Sequence, residues 1–187
     1  MEEAPTETEL LRRILEGEQD VYAEIVERYK GSVYGLFRGM GAKHQDAQDL
    51  AQETFIRAYR GLGELRESER FAAWIYRIAV NLMRDFVKKK RPFPTGEAHM
   101  LEARDGETPE RLLIAKEMRH EVHRLLETLP EQERLILLLR YTNELSYEEI
   151  AQITGLRLGQ IRNRLHRAKR KLYQHLQGEG GTSYEMF

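Results

Sequence analysis

Arg77, Asn81, Arg84 and Lys88 follow one another at helical steps of four, three and four residues, so a helix through them would carry three cations and one carboxamide along a single side. That combination suits nucleic acid: cations meet phosphates, while an amide both donates to and accepts from a base edge. A solvated charged face would look the same on this segment alone. A second basic segment near the C-terminus favours the nucleic-acid reading. There Arg157, Gln160, Arg162, Asn163, Arg164, His166 and Arg167 offer short polar groups and arginines suited to major-groove edges, with Arg170 and Lys171 beyond them for phosphates.

The elements that must hold these groups can be read from periodicity. Phe71, Trp74, Ile75, Ile78, Ala79, Leu82, Met83 and Phe86 form an apolar stripe opposite Arg77 and Asn81, which predicts an amphipathic helix ending near Pro92. Trp74 lies on the apolar side and is expected in the core; Tyr76, beside the basic stripe, could go either way. Upstream, Leu11, Ile14, Leu15, Val21, Tyr22, Ile25, Val26, Tyr29, then Leu50, Ala51, Phe55, Ala58 and Tyr59 return at helical spacing, punctuated by Gly17, Gly39, Gly41, Gly61 and Gly63. A compact bundle follows.

Residues 92–108 are poor in large apolar groups and rich in Gly and carboxylates, as a flexible acidic linker would be. Thr108 as N-cap with Pro109 and Glu110 then opens a new helix whose apolar face runs through Leu112, Met118, Val122, Leu125 and Leu126 to a stop at Leu129-Pro130. After another apolar helix over 131–141, Ser146 with Glu149 reads as a capping box, and Ala151 four residues before Gly155 as a short helix entering a tight turn. This is a helix-turn-helix pattern. Its second helix is expected to bury Leu158, Ile161, Leu165, Ala168 and Leu172. The predicted class is all-α: two helical domains, 1–91 and 109–177, joined by the linker 92–108, the second a helix-turn-helix, with a tail over 178–187.

Charge is segregated although the net formal charge of the 187 residues is −1. Residues 61–95 hold eight Lys/Arg against four Asp/Glu, and 156–177 hold seven against none, while 96–133 hold five against ten. Two basic surfaces separated by an acidic stretch point to nucleic acid at two places. The chain has no cysteine, which excludes disulfides, thiolate metal sites and cysteine nucleophiles. His120 and His123 lie about one helical turn apart but have no second ligand pair near them, and phosphate-loop, zincin and serine-hydrolase motifs are missing. No metal, cofactor or catalytic site is expected, so the chain is read as a non-enzyme. The acidic start MEEAPTETE is unlike a signal peptide, and no apolar run approaches the roughly 20 residues of a membrane span; a cytoplasmic chain with no membrane insertion is expected.

Four blocks in order, DAQDLAQETFIRAY at 46–59, FAAWIYRIAVNLMRDFVKKKR at 71–91, LPEQERLILLLRY at 129–141, and LSYEEIAQITGL with LGQIRNRLHRAKRKL at 145–172, resemble bacterial RNA polymerase sigma factors of the extracytoplasmic-function group. The resemblance implies that Asp49, Gln52, Glu53 and Arg57, beside Leu50 and Phe55, dock on core RNA polymerase. It implies that Arg77, Asn81, Arg84 and Lys88 read and melt the −10 promoter element, Asn81 at an unstacked base and the cations at phosphates. In the second domain it implies a −35 duplex reader, with Asn163, His166 and Arg167 at bases and Arg162 and Arg164 at the backbone. The family often opens this helix with Pro-Val-Gly-Thr-Val, where this chain has Arg157-Leu158-Gly159-Gln160-Ile161; Arg157 and Gln160 are thus candidates for contacts of its own. An anti-sigma factor, often membrane-anchored, is a further implied partner. The rival reading is a self-sufficient dimeric helix-turn-helix regulator, which would need two recognition helices for a two-fold operator but no melting helix.

Overall fold

The computed structural model describes residues 5–65, 70–89 and 109–178. Every regular element among them is helical: α1 Glu7–Leu15, α2 Tyr22–Gly39, α3 His44–Gly61, α4 Phe71–Lys89, α5 Pro109–Glu127, α6 Glu131–Tyr141, α7 Tyr147–Thr154 and α8 Leu158–Gly178, with short 3-10 turns at Gln19–Val21 and Leu62–Glu64. The expected all-α class holds. The linker 92–108 with its Thr108 cap, residues 66–69, the Leu112 side chain and the tail beyond 178 lie outside the described residues. Two compact units result, one built on α1 to α4, the other on α5 to α8 with the turn Gly39–Lys43 grouped in it.

In the first unit, α1 starts where Thr6 accepts a hydrogen bond from the Glu9 N–H at 3.3 Å, with Glu7 and Glu9 at its positive end and Arg12 and Arg13 at its negative end. Two tyrosines of α2 tie the helices together. The Tyr22 hydroxyl donates to the Phe55 carbonyl at 2.7 Å while its ring lies 4.9 Å from that of Tyr59, joining α2 to α3. Tyr29 donates to the Glu7 carboxylate and sets its ring edge against Phe71 at 5.3 Å, joining α2 to α1 and α4. Leu10, Ile25, Val33, Phe37, Ala58, Phe71, Ile75 and Ala79 fill the space between them. Trp74 is buried as expected, with its indole against Gly61, where a Cβ would stand 3.4 Å away in ordinary van der Waals contact. Tyr76 also belongs to the core, and burial raises its hydroxyl pKa.

The second unit packs Leu126, Leu129, Ile136, Leu139, Ile150, Ile153, Ile161, Leu165 and Ala168 into one core. Two cations close the C-terminal end of α5, whose last carbonyls lack helical partners. Arg134 donates to the carbonyls of Glu127 and Leu129, both at 3.2 Å, and Lys171 donates to that of Thr128. After α6 the chain reverses through Glu144 at φ 55°, the Leu145 N–H returning to the Leu139 carbonyl at 3.1 Å. A side chain in this left-handed region is strained, and glycine is not. Glu144→Gly is therefore expected to raise stability by about 0.5–1 kcal/mol, read from the denaturant midpoint at unchanged slope; an unchanged or lower midpoint would mean the left-handed turn carries no strain here.

Candidate nucleic-acid interface

On α4 the predicted two-sided helix is present. Phe71, Trp74, Ile75, Ala79, Leu82 and Met83 are buried, Ile78 and Phe86 half-buried. Asn81, Arg84 and Lys88 are exposed on the other side, and Arg77 is half-buried at its start. Arg84 Nη1 approaches Asn81 Oδ1 at 3.5 Å, the long limit of a hydrogen bond, so the amide oxygen is weakly held and readily exchanged for another donor. Asp85, exposed at the edge of this face, is an acidic neighbour that the cation pattern alone leaves out.

On α3, Asp49, Gln52 and Arg57 are exposed and Glu53 half-buried. Gln45 donates to Asp49 at 3.3 Å, and Glu53 pairs with Arg57 at 2.7 Å. A surface pair one turn apart contributes only about 0.3–0.5 kcal/mol and is easily broken. Leu50 and Phe55 are buried against the bundle, 8% and 7% exposed, as their place in the apolar spacing predicts. Ile56, 37% exposed, lies between Asp49, Gln52 and Glu53 on the helical wheel. Tyr59, expected inside, is exposed to the same extent.

The helix-turn-helix is built by local rules. Ser146 Oγ accepts from the Glu149 N–H at 3.1 Å, and Glu149 Oε2 accepts from the Ser146 N–H at 2.7 Å, a reciprocal cap that starts α7. Gly155 ends α7 at φ 74°, its N–H on the Ala151 carbonyl at 2.8 Å. Ser146→Ala is expected to cost about 1 kcal/mol, seen as a lower denaturant midpoint; an unchanged midpoint would mean the cap is dispensable.

The opening of α8 shows what replaces the family's usual residues. Gln160 Oε1 accepts from the Arg157 N–H at 2.9 Å, so Gln160 fastens the helix start while its side chain stays exposed. Arg157 is exposed, and Leu158, expected inside, is 37% exposed. Along the helix Arg162, Asn163, His166 and Arg167 are exposed and Arg164 half-buried. Asn163, His166, Arg167 and the exposed Arg170 share one side by helical geometry, with Arg162 and Arg164 flanking it. Tyr147 of α7 packs under Arg162 at 5.8 Å and Arg140 at 5.1 Å. Three cations have partners that spacing could not reveal. Arg167 Nε pairs with Glu133 at 3.1 Å, Lys169 lies 4.8 Å from the Tyr141 ring, and Lys171 is spent on the Thr128 carbonyl.

Elsewhere, His123 Nε2 stands 3.3 Å from Glu127 one turn along α5, and no group of three or more metal-ligating side chains converges among the described residues. No helix among them is long and apolar enough to cross a membrane.

Comparison with known proteins follows the same division. Residues 25–93 match the Sigma-70 region 2 family, and residues 119–172 match Sigma-70 region 4. The ECF RNA polymerase sigma factor SigW of Bacillus subtilis strain 168 is 33% identical over 177 residues, spanning 89% of this chain and 94% of its own. The ECF RNA polymerase sigma-E factor of Escherichia coli K12 is 35% identical over 188 residues, 95% of this chain and 97% of its own. Among solved structures, CnrH in complex with the cytosolic domain of CnrY shares the fold at a TM-score of 0.70 and 24% identity, covering 91% of this chain and 97% of that one. RpoE of Bartonella quintana, solved with the anti-sigma factor NepR, shares it at 0.63 and 19% identity, covering 85% and 98%.

Proposed function

Because the chain belongs to the extracytoplasmic-function sigma factors of bacterial RNA polymerase, we propose that it carries core polymerase to promoters through α3, opens them with α4 and reads their upstream duplex with α8. It acts without catalysis of its own, in the cytoplasm where its template lies. Family membership sets aside the dimeric regulator.

One observation carries this division of labour. Asn81, Arg84 and Lys88 project from a helix whose opposite side is sealed into a core, in the same chain as a capped helix-turn-helix. A rigid helix with an amide among cations can hold a backbone and trap one unstacked base, which stabilises separated strands. The second helix has the polar and arginine groups that major-groove edges accept.

The faces have separate duties. Asp49, Gln52, Glu53 and Arg57, with Ile56 among them, dock on the polymerase; Arg77, Asn81, Arg84 and Lys88 act at the −10 element; Arg157, Gln160, Arg162, Asn163, Arg164, His166 and Arg167 act at the −35 element. An anti-sigma factor is a further partner, in keeping with the anti-sigma complex in which one solved relative was captured. It would hold the chain inactive by covering the α3 face.

The upstream assignment is tested by Asn163→Ala in holoenzyme footprinting and titration. The substitution is expected to cost about 1–3 kcal/mol on the preferred −35 sequence and to relax one base position. Unchanged sequence preference would move duplex reading away from Asn163.

A further inference from the structure

We propose that Glu133 orients Arg167 for base reading and is thereby a specificity-determining residue that touches no DNA. The inference rests on the reading of α8 as the duplex-reading helix. Glu133 is the third residue of α6, a position from which a glutamate ordinarily reaches back to the N–H of the cap residue. Here the cap is Pro130, which has no N–H to offer. The carboxylate must look elsewhere, yet its side chain is only 10% exposed. A carboxylate withdrawn that far from water needs an opposite charge.

It finds one on α8, where Arg167 Nε stands 3.1 Å from Glu133 Oε1. The Arg167 side chain remains 55% exposed. The ion pair brings the Nε edge of the guanidinium nearest the carboxylate, and an arginine so exposed can still offer its terminal nitrogens to paired acceptors on a guanine edge. Both partners sit on firm supports. Glu133 precedes Ile136 and Leu139, which are fully buried, and Arg167 lies between Leu165 and Ala168, also buried. An arginine already held in place loses less side-chain freedom on binding.

The arrangement also has a cost for DNA binding in general, because a carboxylate beside the cation weakens its attraction to any phosphate. Glu133 therefore exchanges indiscriminate attraction for discrimination. That gives the proposal a signature that simple loss of folding would not produce: removing the charge should move specific and non-specific binding differently.

The test uses the full chain assembled with core RNA polymerase and a duplex library randomised over the upstream element, followed by titration of the selected duplex, its single base-pair variants and a scrambled duplex. Glu133→Gln is expected to lose roughly three- to tenfold in preference at the base pair read by Arg167. Its affinity for the scrambled duplex should stay the same or rise. Arg167→Ala should abolish the same preference, and Glu133→Gln should change nothing further in that background. Arg167→Lys, which retains a cation for Glu133, should keep the melting midpoint and lose the preference. Wild-type preference in Glu133→Gln would overturn the proposal, as would an equal change on selected and scrambled duplexes. A wild-type holoenzyme that selects no upstream sequence would overturn the reading of α8 and the proposal with it.

Discussion

Core RNA polymerase is expected to bind the Asp49→Lys chain at least a hundredfold more weakly than the wild type, a loss of about 3 kcal/mol or more. Asp49 is exposed on α3 and accepts one hydrogen bond from Gln45, so its replacement leaves the buried Leu50, Thr54 and Phe55 in place and should not change helicity. What changes is the sign of the charge beside Ile56. On an interface, reversing one charge places like charges together or leaves a partner unpaired, and both are costly once water is excluded. Ile56→Ala provides an independent probe, because an isoleucine 37% exposed on a free surface loses its remaining exposure only if something docks over it. Titration of labelled core polymerase with circular dichroism as a folding control measures both. Wild-type affinity in both variants would remove α3 from the docking surface.

Promoter opening should fail in the Asn81→Ala chain at a step later than assembly. Alanine is the better helix former, and Asn81 is exposed, so α4 keeps its buried stripe and its cations. The loss is one amide, held only by the long contact from Arg84 at 3.5 Å. Polymerase binding and closed-complex formation should therefore survive. Strand separation should not: permanganate reactivity of thymines in the melted region should fall by roughly tenfold, the scale of one lost base contact of about 1.4 kcal/mol. A promoter already mismatched in that region should regain much of the activity. Normal melting of fully paired DNA by this variant would make the amide an ordinary surface group.

What the sequence discloses and what it hides divide along physical lines. The α4 stripe can be read from residues because one period governs both its buried and exposed sides, and because proline at 92 forbids continuation. The Ser146–Glu149 cap and the Gly155 turn are likewise local, each needing only residues within one helical turn. Gln160 follows the same rule, three residues beyond Arg157, and could have been recognised as a cap by that spacing. Tertiary contacts are another matter. Leu50 and Tyr59 belong to one apolar spacing, yet the first is covered and the second left 37% exposed with its ring against Tyr22 of α2, which only the packing of neighbouring helices decides. Glu133 and Arg167 lie far apart in the chain and meet only because α6 and α8 share a core. Lys171, read from its type as a phosphate contact, turns instead to the end of α5, because a helix C-terminus leaves carbonyls that attract cations.

The most direct measurement is transcription by sigma-free core RNA polymerase with the purified chain added, on a library of double-stranded promoters with start sites mapped. The account predicts transcripts that begin at defined positions only when the chain is present, downstream of a shared pair of sequence elements. Added chain that leaves core polymerase starting at random, or not at all, while itself binding duplex DNA as a dimer, would contradict it.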